Sequence, residues 1–487
     1  MTDTKIVAAP LQAGLDLADR YRVGGGPVPM TGVQAVGRLL AEQHAADAAA
    51  GRRTASFVSG YQGSPLAGLD MTLAKSPELA DTAGLRLVPA VNEELAATAV
   101  WGSQLEVPGH PRTADGVIGV WYGTAPGVDR AGDALRHGNV CGAHPAGGVL
   151  VLAGDDPAAK SSTIPCVSEH ALAAYGLPVL FPADAADIVR LGRYGMALSR
   201  ASGMWVGMKI TADVADGLYS VDASAGDLEV TVPELEWEGR PWTYRQYPVL
   251  TPPASLQAEA QLHGPRLAMM QAFLAANPVN TVEVDTPGAW LGIVAAGTAY
   301  TDTRQALRDL GLDGPSSDTA LRRAGIRLLR LGMIHPLERD AVREFAAGLD
   351  TVLVIEEKTP FVETAVRDAL YGLPQPPAII GARDQDARPL VPTTGELTAG
   401  ALHGPLRRVL RDRVELAPPR REPVRLGLLP EMRTPYFCSG CPHGRSTVGW
   451  HRRLCDHARR RGRVDPMGAL ASRLHRRAIL AGSAHVP

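Results

Sequence analysis

Strand-like and helix-like segments take turns along this chain at the spacing of βα units, and that alternation leaves few folds open. Apolar runs at 55–59, 85–91, 116–121, 148–153, 178–181 and 204–210 read as strands. Helical periodicity fills the intervals at 30–50, 92–105, 129–138, 168–175 and 184–200. The first helix has Thr31 as its N-cap, Val33, Val36, Leu39 and Leu40 on one face, and Gly51 just past its end. Repeated βαβ units predict a mainly parallel, doubly wound sheet, because crossover helices cover both faces of strands that run the same way. The rhythm breaks at 218–255, where charges, prolines and aromatics mix, so a linker over the surface is expected there, closed by a helix at 256–276. A second α/β unit follows, with strands at 290–296, 326–331 and 351–355 and helices at 301–311, 337–348 and 361–372. A Pro-rich connection at 416–423 ends it.

Three loops that follow strands are predicted to meet at one edge of the first sheet, where open α/β sheets place ligands. The first is Gly60-Tyr61-Gln62-Gly63-Ser64-Pro65, whose glycines let the backbone bend and approach a ligand. In the second, Asn92 caps a helix whose first turn carries Glu93 and Glu94. Those carboxylates either satisfy the helix N-terminus, which favours negative charge, or serve a site. The third runs from Tyr122 to Arg130, where Gly123, Thr124 and Gly127 suit either a cofactor-contacting turn or a plain βα connection. Gly154-Asp155-Asp156-Pro157, followed by Lys160-Ser161-Ser162-Thr163, is a further polar loop without a Walker pattern, which argues against a nucleotide P-loop.

Charge separates function classes. With 21% charged residues and a formal net charge of -2, the chain as a whole has no polyanion-binding character, so no nucleic-acid partner is expected. No apolar run reaches the 18 or so residues of a spanning helix, and the start lacks a signal-peptide pattern, so a cytoplasmic protein without a membrane partner is expected. Five cysteines exclude a disulfide framework and leave Cys438 and Cys441 as a close pair. Cys438-Ser-Gly-Cys441-Pro-His443 is either a weak metal-ligand candidate or structural, because its neighbours fit no zinc template. From His451 onward nine arginines stand against two acidic residues, a composition unlike the rest.

Taken together, Ser59 to Pro65, Asn92 to Ala96, Gly119 to Thr124 with Pro126 to Arg130, Gly154 to Asp156, Val354 to Pro360, Thr394 to Leu397 and Pro435 to His443 resemble a known family. It is that of the indolepyruvate ferredoxin oxidoreductase large subunits, within the thiamine-diphosphate-dependent 2-oxoacid:ferredoxin oxidoreductases. The resemblance implies an α/β chain with a doubly wound pyrimidine-binding domain at 16–217, a linker and helix at 218–284, and a transketolase C-terminal-like domain at 285–415. A diphosphate-binding domain would start at 431–447. Glu93 would be the carboxylate facing N1′ of the cofactor's aminopyrimidine, promoting the imino tautomer that removes the C2 proton. Gly63, Gly123 and Thr124 would contact the cofactor, and Gly63, Ser64 and Pro65 the substrate carboxylate.

The implied activity is oxidative decarboxylation of aryl 2-oxoacids such as indolepyruvate, with ferredoxin as acceptor, coenzyme A as a further partner and a homodimer as the assembly. Thiamine diphosphate with Mg²⁺, and iron–sulfur centres, are the implied cofactors. The chain departs from that pattern after Thr447: no Gly-Asp-Gly segment for Mg²⁺ and no iron–sulfur cysteine cluster follow. The expectation is therefore an N-terminal portion ending in an aberrant Arg-rich tail at 448–487, through truncation or a shifted frame. The alternative is an inactive fragment or a non-catalytic dimerising scaffold of the same family.

Overall fold

The computed structural model describes residues 16–417 apart from 25, 107–108, 111–112, 163 and 313–316. The described residues up to 158, and from 165 on, belong to one compact unit. Ala159–Ile164 belong to a second unit and are described by themselves, as irregular turns in which Ala159 takes φ 51. The regions 431–447 and 448–487, with Cys438 and Cys441, lie outside the described residues.

In chain order the strands of the first half are β1 (Val28–Thr31), β2 (Thr54–Gly60), β3 (Leu85–Leu87), β4 (Gly116–Thr124), β5 (Val149–Asp155), β6 (Val179–Leu180), β7 (Val206–Thr211) and β8 (Leu218–Val221). A hairpin of β9 (Leu235–Trp237) and β10 (Arg240–Trp242) leads to β11 (Thr281–Val284), β12 (Leu291–Ala296), β13 (Ile326–Leu331), β14 (Met333–His335), β15 (Thr351–Ile355) and β16 (Ala378–Ile380). The larger sheet has the order β14-β6-β7-β5-β4-β2-β3, parallel except for β14. The second sheet has the order β11-β13-β12-β15-β16, parallel except for β11. The fold is thus mixed α/β with two mainly parallel sheets, as the resemblance implies.

Every residue of β5 and β7 is buried, the pattern of parallel strands covered on both faces. One face packs on the long helices α1 (Gly32–Ala49) and α6 (Ala185–Ser202), through Val36, Leu39, Val120 and Leu152. The other face joins the second sheet in one apolar cluster, in which Trp121, Val151 and Trp205 belong with Val294, Leu329 and Val354. The sheets therefore share a core.

The expected strand at 85–91 shortens to the regular β3 at the edge of the sheet. The backbone still follows β2: Val88 and Ala90 donate to the carbonyls of Val58 and Gly60 at 2.9 and 3.0 Å. The expected surface linker holds more structure than its composition suggests. Its β8 pairs antiparallel with β1, and β9 and β10 close on a tight turn in which Glu238 and Gly239 both take positive φ. The single helix expected at 256–276 is interrupted at Gly264, whose φ/ψ of -103/-106 breaks the helical path before Pro265. That break coincides with a fully buried Arg266, which donates to the carbonyls of Asn139, Val140, Ser202 and Gly203 at 2.8 to 3.0 Å. One guanidinium thus satisfies carbonyls at the ends of two helices, α6 and the helix Gly132–Cys141.

Candidate active site

β3, β2 and β4 are neighbouring and parallel, so the loops that follow them emerge at one sheet edge, as the sequence predicts. Three glycines seat the first loop. A Cβ on Gly60 would fall 2.2 Å from the Tyr122 carbonyl oxygen, one on Gly63 would fall 2.3 Å from Thr124 Cγ2, and one on Gly154 would fall 2.8 Å from Pro65 Cδ. The segment from Gly60 to Pro65 therefore lies directly against the ends of β4 and β5, and its Ser64-Pro65 peptide is cis.

The helix α2 (Glu93–Ser103) starts where the sequence predicts: the Asn92 side chain accepts from the Leu95 N–H at 2.8 Å. Its small residues Ala96 and Ala97 are fully buried, so the helix lies close on the sheet. Trp121, reaching across from β4, donates its indole N–H to the Glu93 carbonyl at 2.9 Å and ties the first turn down. The Glu93 carboxylate is 14% exposed and sits 3.6 Å from Arg130 Nε, whereas Glu94 beside it is open to solvent. Val91 and Leu95, close to it in sequence, are exposed.

Thr124 ends β4 and caps the short helix α3 (Ala125–Arg130), accepting from the Gly127 N–H at 3.1 Å. Gly123 is not in the loop where the sequence reading put it. It lies within β4, and its bare Cα makes room for the Trp121 ring, 2.6 Å from where a Cβ would be. Trp121 and Arg130 received no individual role from the sequence; for Trp121 no local signal existed, since its indole works on a residue 28 positions away.

A second acidic group stands at the same edge but fully inside. Asp155, the last residue of β5, is entirely buried, takes the Ser168 N–H at 3.0 Å and lies 3.4 Å from Lys209 Nζ, while its other oxygen has no partner. Lys209 also bonds Glu169 at 2.8 Å. Burial pushes the Asp155 carboxyl up to about 7, against the pull of Lys209. Burial works against the Lys209 charge as well, but Glu169 and Asp155 outweigh it and raise its pKa.

From the second sheet, Glu356 and Glu357 follow β15. Glu356 accepts from the backbone N–H groups of Phe361, Val362 and Glu363 at 2.7 to 3.0 Å, yet burial still lifts it to about 7. Glu169, Lys209, Glu356 and Glu357 share a cavity of about 20 Å³, room for one water. The Gly154-Asp155 and Glu356-Glu357 motifs thus meet as the polar joint between the sheets. A lysine inside an otherwise apolar strand, Val206 to Thr211, was the overlooked signal for this joint.

Among the described residues no group of three or more His, Cys, Asp or Glu is placed to hold a metal, and no helix is long and apolar enough to cross a membrane. The weak metal candidates Cys438 and Cys441 fall outside those residues.

An indolepyruvate oxidoreductase domain model matches residues 281–416. The indolepyruvate oxidoreductase subunit IorA of Methanothermobacter thermautotrophicus is 25% identical over 385 residues, 79% of this chain and 55% of its own length. The corresponding subunit of Archaeoglobus fulgidus is 24% identical over 326 residues, 66% of this chain and 47% of its own length. The chain therefore spans about half the length of the curated relatives it matches. A solved 2-oxoglutarate:ferredoxin oxidoreductase from Magnetococcus marinus shares the fold, with a TM-score of 0.55 at 15% identity over 79% of this chain and 65% of that one. Over the residues it shares with these relatives, the chain is similar to indolepyruvate oxidoreductase subunit IorA.

Proposed function

We propose that this chain is the pyrimidine-binding (16–217) and transketolase C-terminal-like (285–415) portion, joined by 218–284, of a thiamine-diphosphate-dependent 2-oxoacid oxidoreductase. In this reading it acts on aryl 2-oxoacids of the indolepyruvate type, works as a homodimer, uses coenzyme A as acyl acceptor and passes electrons through iron–sulfur centres to ferredoxin. One observation carries the reading: the Glu93 carboxylate, tethered at the first turn of α2, lies over Gly127 beside Arg130, at the sheet edge where the Gly60–Pro65 loop packs on Thr124.

The described residues fit the aminopyrimidine half of the cofactor. Glu93 is a recessed carboxylate that could accept from a ring N–H, and the Thr124 methyl packed on Gly63 seats the loop that carries Ser64 and Pro65. When bound, thiamine diphosphate supplies the carbon acid that attacks and decarboxylates a 2-oxoacid. The chain's own contribution is to hold Glu93 where it exchanges a proton with N1′ and to offer Ser64 and Pro65 to the substrate carboxylate. The helix-start asparagine and the Trp121 bond keep Glu93 from drifting with its backbone.

The test is turnover after the chain is combined with the remaining portion of the relatives' length as a second polypeptide. With indolepyruvate, a dye acceptor, thiamine diphosphate and Mg²⁺, Glu93→Gln should lower the rate by roughly 10²-fold or more, while Glu94→Gln keeps measurable turnover. Equal losses from the two variants would refute the assignment, and no turnover from any combination would favour a non-catalytic scaffold.

A further inference from the structure

We infer that Gly127 is a positioning residue for Glu93: its missing side chain is the slot in which the carboxylate arm lies, and Arg130 closes that slot. This inference rests on Glu93 being the cofactor carboxylate, but its geometry stands without any cofactor. A Cβ built on Gly127 would come 2.9 Å from Glu93 Cγ and 3.1 Å from its Oε1. The nearer atom is a carbon within the arm, so a methyl group there displaces the side chain as a whole.

Gly127 cannot easily yield instead. Its N–H is held by the Thr124 hydroxyl at 3.1 Å, it is buried in the first turn of α3, and α3 continues β4, which is hydrogen-bonded on both sides. Glu93 cannot yield through its backbone either, because Asn92 caps its helix and Trp121 holds its carbonyl. What remains free is the arm itself, which lies over Gly127 with its second oxygen 3.6 Å from Arg130 Nε. Gly127 and Arg130 stand three positions apart on one helix and so share a face.

The experiment uses the full chain and reads where the carboxylate is, before reading what it binds. A water-soluble carbodiimide with an amine nucleophile labels carboxylates in proportion to their accessibility, and peptide mass spectrometry separates Glu93 from the exposed Glu94. In Gly127→Ala, labelling of Glu93 should rise by about tenfold while Glu94 labels as before. Arg130→Gln should raise Glu93 labelling by about two- to fivefold.

Unchanged Glu93 labelling in a Gly127→Ala protein that unfolds at the wild-type temperature would overturn the inference. So would labelling of both glutamates alike, which signals general loosening. Gly68→Ala, where a Cβ meets nothing within 4 Å, is the control for adding a methyl group at this edge. A second arm records NMR shifts on millimolar thiamine diphosphate with Mg²⁺. Shifts in wild type that vanish in Gly127→Ala and persist in Gly68→Ala support positioning for the cofactor. No shift in wild type, with the labelling pattern as expected, would leave the slot intact and remove the cofactor reading.

Discussion

Two acidic groups stand at the carboxyl edge of the same sheet and are built for opposite ends. Glu93 opens α2 as one recessed carboxylate with a single loosely held cation, and exposed Val91 and Leu95 lie nearby in sequence. Asp155 ends β5 in full burial and shares Lys209 with Glu169, and these two partners line a water-sized cavity with Glu356 and Glu357 of the other sheet. The first can change partners when a ligand arrives; the second cannot without parting the sheets. Burial, more than residue type, separates a group left free for chemistry from one that holds the fold.

The comparison breaks most visibly at Lys209. Replacing it with Met strands two buried carboxylates, so Lys209→Met should cost about 3 to 5 kcal/mol in urea unfolding, whereas Glu93→Gln should stay within about 0.5 kcal/mol of wild type. Similar losses would mean that the two groups do the same work.

The pH dependence sharpens the same contrast. Asp155 and Glu356 are both raised to about 7 from ordinary values of 3.8 and 4.5, so each binds its proton more tightly folded than unfolded. Their contribution is complete below about pH 4 and is lost as pH rises through about 7. Asp47 and Asp187 work the other way, because arginines (Arg200, and Arg330 with Arg190) overcome burial and lower their pKa values; their stabilisation fades as pH falls through the acid range. Between about pH 5 and 7 the raised pair sets the slope. Unfolding free energy should fall across that window in wild type, and less steeply in Asp155→Asn and Glu356→Gln; a wild-type curve that is flat or rising there contradicts the joint.

A smaller effect is expected where the site loop is seated. Gly63→Ala drives a methyl group into Thr124 Cγ2 and should cost about 1 to 3 kcal/mol, part of which Thr124→Ser restores by removing that carbon. Smaller still, Trp121→Phe deletes the indole bond to the Glu93 carbonyl, worth about 1 kcal/mol, and should speed amide exchange in the first turns of α2.

Much of this was legible in the sequence, for reasons that particular residues make plain. The parallel strands announced themselves as short buried apolar runs, and Asn92 marked the start of α2 because capping is a local interaction. Pairing of β8 with β1, and of β14 with β6, left no trace, since antiparallel partners about 150 or more residues apart carry no shared local signal. The β9–β10 hairpin was readable in principle from Glu238-Gly239 between Trp237 and Arg240, but the surrounding prolines masked it. At the site, sequence pointed to Glu93 and the Gly63 loop. It could not show that Gly127 underlies the carboxylate, because that depends on how α2 and α3 lean together.

The central claim is that Glu93 is the carboxylate that serves the aminopyrimidine, and proton exchange at the thiazolium C2 of thiamine diphosphate tests it most directly. With the chain completed by the remaining portion of its relatives and the cofactor bound with Mg²⁺, quenched deuterium exchange read by proton NMR reports C2 deprotonation without any substrate or electron acceptor. The account predicts exchange accelerated over free cofactor, slowed roughly 10²-fold or more by Glu93→Gln and nearly unchanged by Glu94→Gln. Exchange that is accelerated to the same extent in wild type and Glu93→Gln would contradict it.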